Sequence, residues 1–230
     1  MPVAKSVEIH LLRHGHSSAN GLGILAGRDN SVKLSPAGIA QAEALIPILQ
    51  GGSYDLVLSS PIYRCQETLY PFLESISDKR AQTPFRLEDR LQEMDYGDWS
   101  GKKLSALGKK PLWRTIQSRP SLVRFPQGES FLEMSHRVNE VLHEILQTKA
   151  ERVLVCSHGD VIKAMIAQGL GLHLDQFQRI IVDPASISVI SLSPDGASII
   201  KVNDTSHLPT KNGSGKAKKR GPLLGGGAGR

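Results

Sequence analysis

The 230-residue sequence predicts an α/β protein: a three-layer α/β/α sandwich with a mostly parallel central sheet and an antiparallel edge. Three observations predict it. Short apolar runs of strand type alternate with amphipathic helical stretches. Two of those runs end on a histidine followed by glycine, His14-Gly15 and His158-Gly159. In an open α/β sheet such junctions meet beyond the carboxyl ends of the strands, where ligands bind. Finally, two late strand-like runs flank Ser193-Pro194-Asp195-Gly196, a hairpin that supplies the antiparallel edge.

The elements follow in order. Residues 7–12 read as the first strand. Ser35 can cap a helix with Pro36 at its first position, and Ile39, Ala42, Ile46 and Leu49 share one face. Pro47 should kink that helix and Gly51-Gly52 should end it. Residues 56–58 form the second strand. Ser59-Ser60-Pro61 is a helix start that sets Arg64 in the first turn, and the helix should bend or stop near Pro71. A short third strand covers residues 85–87. Residues 88–128 are irregular, apart from a short helix near 112–117. A strongly amphipathic helix then sets Phe131, Met134, Val138, Val141, Leu142 and Ile145 on one side. Residues 152–157 form the fourth strand, residues 161–170 a helix, and residues 186–192 and 197–202 the closing hairpin.

Composition bounds the rest. The length suits one domain, taken as residues 1–207, with a core that needs no disulfide or metal staple. No apolar stretch approaches the length that crosses a bilayer. Cys65 and Cys156 both lie in apolar contexts and, with no signal peptide evident, predict reduced thiols in a cytoplasmic protein. The net charge of +6 belongs to the tail. Six basic residues and no acid follow Asp204, and without them the body has 22 basic and 22 acidic residues. Residues 208–230 are rich in Gly and Lys and predict a disordered basic tail. Weak attraction to nucleic acid or another polyanion is the other reading of that tail.

Two imidazoles and an arginine at strand ends suggest a phosphate pocket. A phosphate ester is a dianion, and binding it without metal needs several cationic donors in one place. Arg13 adjoins His14, and Gly15 allows the turn that lets both reach one ligand. Arg64 lies near a helix start, where backbone N–H groups also favour anions, and His158 with Gly159 precedes another. A neutral imidazole can attack phosphorus and split one displacement into two. Neighbouring arginines keep it neutral. The departing alkoxide needs a proton, and the loop of residues 91–99 carries carboxylic acids able to supply it.

These residues resemble the histidine phosphatase superfamily, in its phosphoglycerate-mutase-like branch. The opening block is Arg13-His14-Gly15-His16-Ser17-Ser18-Ala19-Asn20. Ser59-Ser60-Pro61-Ile62-Tyr63-Arg64 matches a second block. Leu91 through Gly101 matches Leu-x-Glu-x-x-x-Gly-x-Trp-x-Gly at every fixed position. Gly128-Glu129-Ser130 and Ser157-His158-Gly159 complete five blocks in order, across residues 7–202. The resemblance implies that His14 is the nucleophile, that Arg13, Arg64 and His158 hold the phosphoryl oxygens, and that Glu93 is the proton donor. It implies further hydrogen bonds from Ser17 and Asn20, with backbone N–H groups near Gly15 and Gly159 assisting. Two departures are His16, where the family often has Glu or Gln, and Cys65, where it often has Ala or Ser. Selectivity is expected from His16, Arg28, the loop around Tyr96 and residues 102–128, where Lys102, Lys103, Arg114 and Arg124 could meet a second anionic group.

The expected activity is therefore metal-independent hydrolysis of small phosphomonoesters through phosphohistidine, with no cofactor. Mutases of this family tend to carry a longer insertion between the glutamate block and the second histidine, and here that span is short. Three alternatives stay in view. One is mutase-type phosphoryl transfer. A second is a metal-dependent hydrolase built on the H-x-H of His14 and His16, with His10 nearby. The third is a phosphate-binding module without activity. The sequence does not fix the oligomeric state.

Overall fold

The computed structural model describes residues 6–77 and 83–209. Six strands form one sheet: β1 (Val7–Arg13), β2 (Leu56–Ser59), β3 (Phe85–Leu87), β4 (Arg152–Ser157), β5 (Ile187–Ser193) and β6 (Gly196–Asp204). Their order is β3-β2-β4-β1-β5-β6. The pairs β2–β3, β2–β4 and β1–β4 are parallel, while β1–β5 and β5–β6 are antiparallel. Helices α1 (Ser18–Leu22), α2 (Pro36–Ala44), α3 (Ile46–Gln50), α4 (Tyr63–Ser75), α5 (Leu104–Leu107), α6 (Pro111–Ser118), α7 (Phe131–Gln147) and α8 (Gly159–Gly169) complete the described chain. None is long and apolar enough to cross a membrane.

Strand alternation sorts the interior into two faces. Ile9, Leu11, Leu58, Val153 and Val155 pack against α7 and α8, where Phe131, Met134, Val138 and Ile162 sit. Leu12, Val57, Leu154 and Cys156 point the other way, onto Leu45, Leu49, Cys65, Leu69 and Phe72 of the α2–α4 layer. This is the three-layer sandwich that the alternating runs predict. Helix α7 starts on a capping box, with Ser130 Oγ accepting from Glu133 N–H and the Glu133 carboxylate accepting from Ser130 N–H. Both cysteines are buried and free.

One expectation had two outcomes, and three need correction. Of bending or stopping near Pro71, helix α4 does not stop and runs on to Ser75. Its buried residues lie on both sides of that proline, Cys65, Thr68 and Leu69 before it and Phe72 and Leu73 after, so packing outweighs the lost backbone bond. That helix also begins at Tyr63, not at Ser59-Ser60-Pro61, with no side-chain cap. The buried stripe at residues 36–50 is Gly38, Ala42, Leu45 and Leu49, and Ile39 is exposed. A break at Leu45 separates α2 from α3, and the buried stripe crosses it at helical spacing. The last helix begins at Gly159, two residues early, with His158 as its N-cap.

The tail expected from residue 208 lies outside the described residues from 210 onward. Leu208 itself packs against the second core cluster, and the ring of His207 bonds to Ala185 O at 3.0 Å.

The loop after β1 is pressed onto the start of α2. A Cβ on Gly38 would stand 2.0 Å from His16 O, and one on Gly15 would stand 2.9 Å from Gly38 O. Both contacts are with backbone, which cannot swing aside. Gly38→Ala is therefore expected to destabilise the protein by about 1–3 kcal/mol, as overpacking does. Thermal unfolding checks this: a drop of roughly 2–4 °C per kcal/mol is expected for a domain of this size.

Candidate active site

Register brings the two histidines together. In the parallel β1–β4 pair, Arg13 lies opposite Ser157, so His14 and His158 follow side by side. His14 N–H donates to Ser157 O at 3.0 Å. The ring centroids are 5.2 Å apart, close to the spacing of neighbouring strands. Strand β2 flanks β4 on its other side, and α4 begins four residues beyond β2. That places Arg64 across both rings: Nε donates to His14 Nε2 at 3.2 Å and Nη2 to His158 Nδ1 at 3.0 Å. The same guanidinium donates to Gly27 O and Asp29 O. Glu67, its possible partner on the helix face, instead accepts from Leu34 N–H.

These bonds fix the tautomers. His14 Nδ1 lies 2.7 Å from Gly15 O and must donate to it, which leaves the lone pair on Nε2. His158 Nδ1 accepts from Arg64, so its Nε2–H faces Ser60 Oγ at 2.8 Å. Burial, then the charges of Arg64 and Arg13, hold His14 well below the ordinary imidazole range. Burial and Arg64 act likewise on His158. Both rings are neutral at physiological pH.

Arg13, His14, Ser17, Asn20, Arg64 and Glu93 line one cavity, with Tyr96 and residues 24–27 completing its wall. Arg13 is buried and anchored by Nη1–H to Val182 O at 2.6 Å. Ser17 and Asn20 form the capping box of α1, so Asn20 Oδ1 is taken by Ser17 N–H and Oγ–H. The Asn20 amide nitrogen is left for the cavity. Residues 101–104 strap the cavity loop through Gly101 N–H to Leu25 O, Leu25 N–H to Lys102 O and Leu104 N–H to Gly23 O.

Glu93 enters from the loop after β3. Its backbone carbonyl accepts from Arg28 Nε at 2.9 Å and Arg137 Nη2 at 3.3 Å. Both arginines are tied to Glu129, which also accepts from Asp95 N–H. The Glu93 carboxyl is held by Met94 N–H at 2.9 Å. Burial, reinforced by Asp160, pushes it up to about 7, against the pull of Arg64 and Arg13.

The remaining expected residues sit elsewhere. Gly15 N–H is committed to Thr68 Oγ1, and Gly159 is the first residue of α8 outside the cavity wall. His158 is fully buried behind Arg64 rather than in that wall. Arg28 belongs to the Glu129 clamp, and Arg124 pairs with Glu133. His16 bonds through Nδ1 to Ser35 Oγ, and His10 bonds to Glu8 and Tyr54. No group of three possible metal ligands occurs among the described residues.

Sequence reasoning pointed to the loop around Tyr96 at the pocket but not to the bond its hydroxyl makes, and it missed Ser60, Glu129 with Arg137, and Asp160. Asp160 and Lys163 carry one visible signal. They are two charges three residues apart in a helix that is otherwise nearly all apolar.

A family model for the histidine phosphatase superfamily (branch 1) matches residues 9–205. Phosphoserine phosphatase 1 of Hydrogenobacter thermophilus is 32% identical over 205 residues, covering 88% of this chain and 94% of that protein. A phosphoglycerate mutase of Schizosaccharomyces pombe is 29% identical over 204 residues, covering 83% of this chain and 92% of the mutase. The crystal structure of the α-ribazole phosphatase from Shigella flexneri is similar with a TM-score of 0.75 at 27% identity, covering 86% of this chain and 96% of that one. A match that spans nearly the whole described fold, joined to relatives of similar length, means that the chain belongs to the histidine phosphatase superfamily, branch 1.

Proposed function

We propose that this protein is a phosphatase of small phosphomonoesters that works without metal through a phosphohistidine at His14. One observation supports it most: the His14 lone pair sits on Nε2 beside the Arg64 guanidinium, in a cavity that also holds a carboxyl poised near neutrality. The four Arg64 bonds all go to neutral acceptors, and Glu93 and Asp29 act on it without bonding to it, so its donors can turn to an entering anion.

The reaction has two displacements. The phosphoryl group takes the place of the Arg64 Nε–His14 Nε2 bond, with its oxygens on Arg13, Arg64 and the Asn20 amide. His14 Nε2 forms a bond to phosphorus as the ester P–O bond breaks. The departing oxygen takes the Glu93 proton. The Glu93 carboxylate then takes a proton from water, the water oxygen attacks phosphorus, and the P–N bond electrons return to Nε2. The guanidinium donors contribute most where charge shifts in the transition state. Two free, buried cysteines support a reducing, cytoplasmic setting.

His14→Ala is expected to abolish phosphate release from a panel of sugar phosphates, phosphoglycerates, phosphoserine and nucleotides, with unfolding temperature retained. Wild-type turnover in that variant overturns the assignment. Interconversion of phosphoglycerates outpacing phosphate release would favour the mutase reading instead.

Arg64→Ala should lower kcat/KM by about 10²–10³-fold, as loss of one preorganised donor does. Arg64→Lys should recover little, because an ammonium cannot reproduce a fork that spans two rings and two carbonyls.

Glu93 acts first as an acid, so its function is present below a pH of about 7 and lost above it. The pH profile of kcat/KM should therefore fall on its basic side from about that value. Glu93→Gln should remove the limb and slow alkyl phosphates far more than p-nitrophenyl phosphate, whose leaving group needs no proton. Equal slowing of both substrates contradicts the role.

A further inference from the structure

Asp160 is the second residue of α8, where every residue from Gly159 to Ala167 is buried. Its carboxylate is fully buried yet lies outside the cavity wall. Tyr96 Oη donates to Oδ2 at 2.8 Å, and Lys163 Nζ donates to Oδ1 at 3.3 Å. Lys163 Nζ also reaches Gln178 Oε1 at 3.1 Å and lies 5.6 Å above the Phe177 ring. With donors on both oxygens, Asp160 is an acceptor only, the form of an ionised carboxylate. A buried ion pair is a poor way to stabilise a helix that could carry apolar residues instead. Its contact with Tyr96 ties it to the cavity, because Tyr96 is the residue of that wall which shares a loop with Glu93.

We propose that Asp160 is a positioning residue for the reaction: its carboxylate, fixed beneath the cavity by Tyr96 and Lys163, holds the Tyr96 wall in place and keeps Glu93 ready as a proton donor. The proposal rests on the phosphatase reading above and extends it to a residue that touches no substrate.

The charges around Glu93 come from every side. Arg13 of β1 and Arg64 of α4 favour its carboxylate, as does Met94 N–H. Arg28 and Arg137 of α7 hold its backbone carbonyl. Neutral His14 and Tyr96 share its cavity. Asp160 of α8 opposes the arginines, with Lys163 beside it. Asp183 adds negative charge near Arg13. Of these groups, Asp160 is the carboxylate that acts directly on Glu93, second only to burial. Without it, burial alone would oppose the two guanidiniums, and Glu93 would ionise at lower pH.

The test is the pH profile of kcat/KM for an alkyl phosphate in wild type, Asp160→Asn and Glu93→Gln. Asp160→Asn should move the basic limb down by about one pH unit, about a tenfold loss at pH 7.5, with rates at pH 5.5 within about twofold of wild type. This variant strands the Lys163 charge and could fail to fold. The pair Asp160→Asn/Lys163→Gln removes both charges, keeps the shape, and should also move the limb down. If either variant folds, by thermal unfolding, and its limb stays in place or moves up, the proposal is overturned. If wild type releases no phosphate, or Glu93→Gln keeps the wild-type limb, the phosphatase reading fails instead.

Discussion

Arg64 is a buried cation whose hydrogen bonds all go to neutral groups, and the site depends on it. Two carbonyls and two imidazole nitrogens take its protons. Burying a charge this way costs several kcal/mol unless something repays it. The cost does two things at once. It favours an anion in the cavity, and it makes protonation of His14 unfavourable, so the lone pair that the proposed attack needs is available. Neither effect needs a metal. What holds Arg64 in place is the second core cluster: Cys65, Leu69 and Phe72 of the same helix pack under the sheet, so the guanidinium cannot retreat to solvent without unseating them.

Glu93 is positioned by a different logic. Arg28 and Arg137 grip its backbone carbonyl, and Glu129 joins the two arginines. Its side chain has a single local bond, to Met94 N–H. The backbone is thus rigid while the carboxyl is free to give and take a proton. A carboxyl held by its own salt bridge would be a poor acid, because the partner would keep it ionised. Arg28 was expected to touch substrate, yet its exposure and charge make it a surface cation only on paper. In space its Nε faces the Glu93 carbonyl, and its Nη2 faces Glu129.

Much of this was legible because it is local. Strand β4 carries an unbroken apolar run, as a strand covered on both faces must, while β1 alternates Val7, Ile9 and Leu11 with Glu8 and His10, and each His-Gly junction follows directly. Arg64 sits in a first turn that sequence also indicates. What was hidden depends on contacts between distant segments. Nothing near Pro71 announces that Phe72 and Leu73 will be anchored strongly enough to carry the helix past it. Ile39 looks like a core residue by its type, yet the face that turns inward runs through Gly38, Ala42, Leu45 and Leu49 and leaves Ile39 outside. Tyr96 reads as packing, which it is, since its ring meets Phe125 edge-on at 5.2 Å; its hydroxyl nonetheless faces Asp160 below the cavity. Ser60 reads as part of a helix start, whereas its hydroxyl orients His158.

The two arginines of the pocket are held differently. Arg13 lies among Glu93, Asp160 and Asp183, all of which act on it. Arg64 hydrogen-bonds to neutral acceptors alone, while Asp29 and Glu93 act on it without bonding to it. Its guanidinium edge beside His14 Nε2 is therefore free of direct carboxylate contact. In the proposed reaction an entering phosphoryl dianion exchanges the Arg64–His14 bond for charge-assisted bonds to that edge. In-line displacement then requires the departing oxygen to lie on the side of phosphorus away from Nε2.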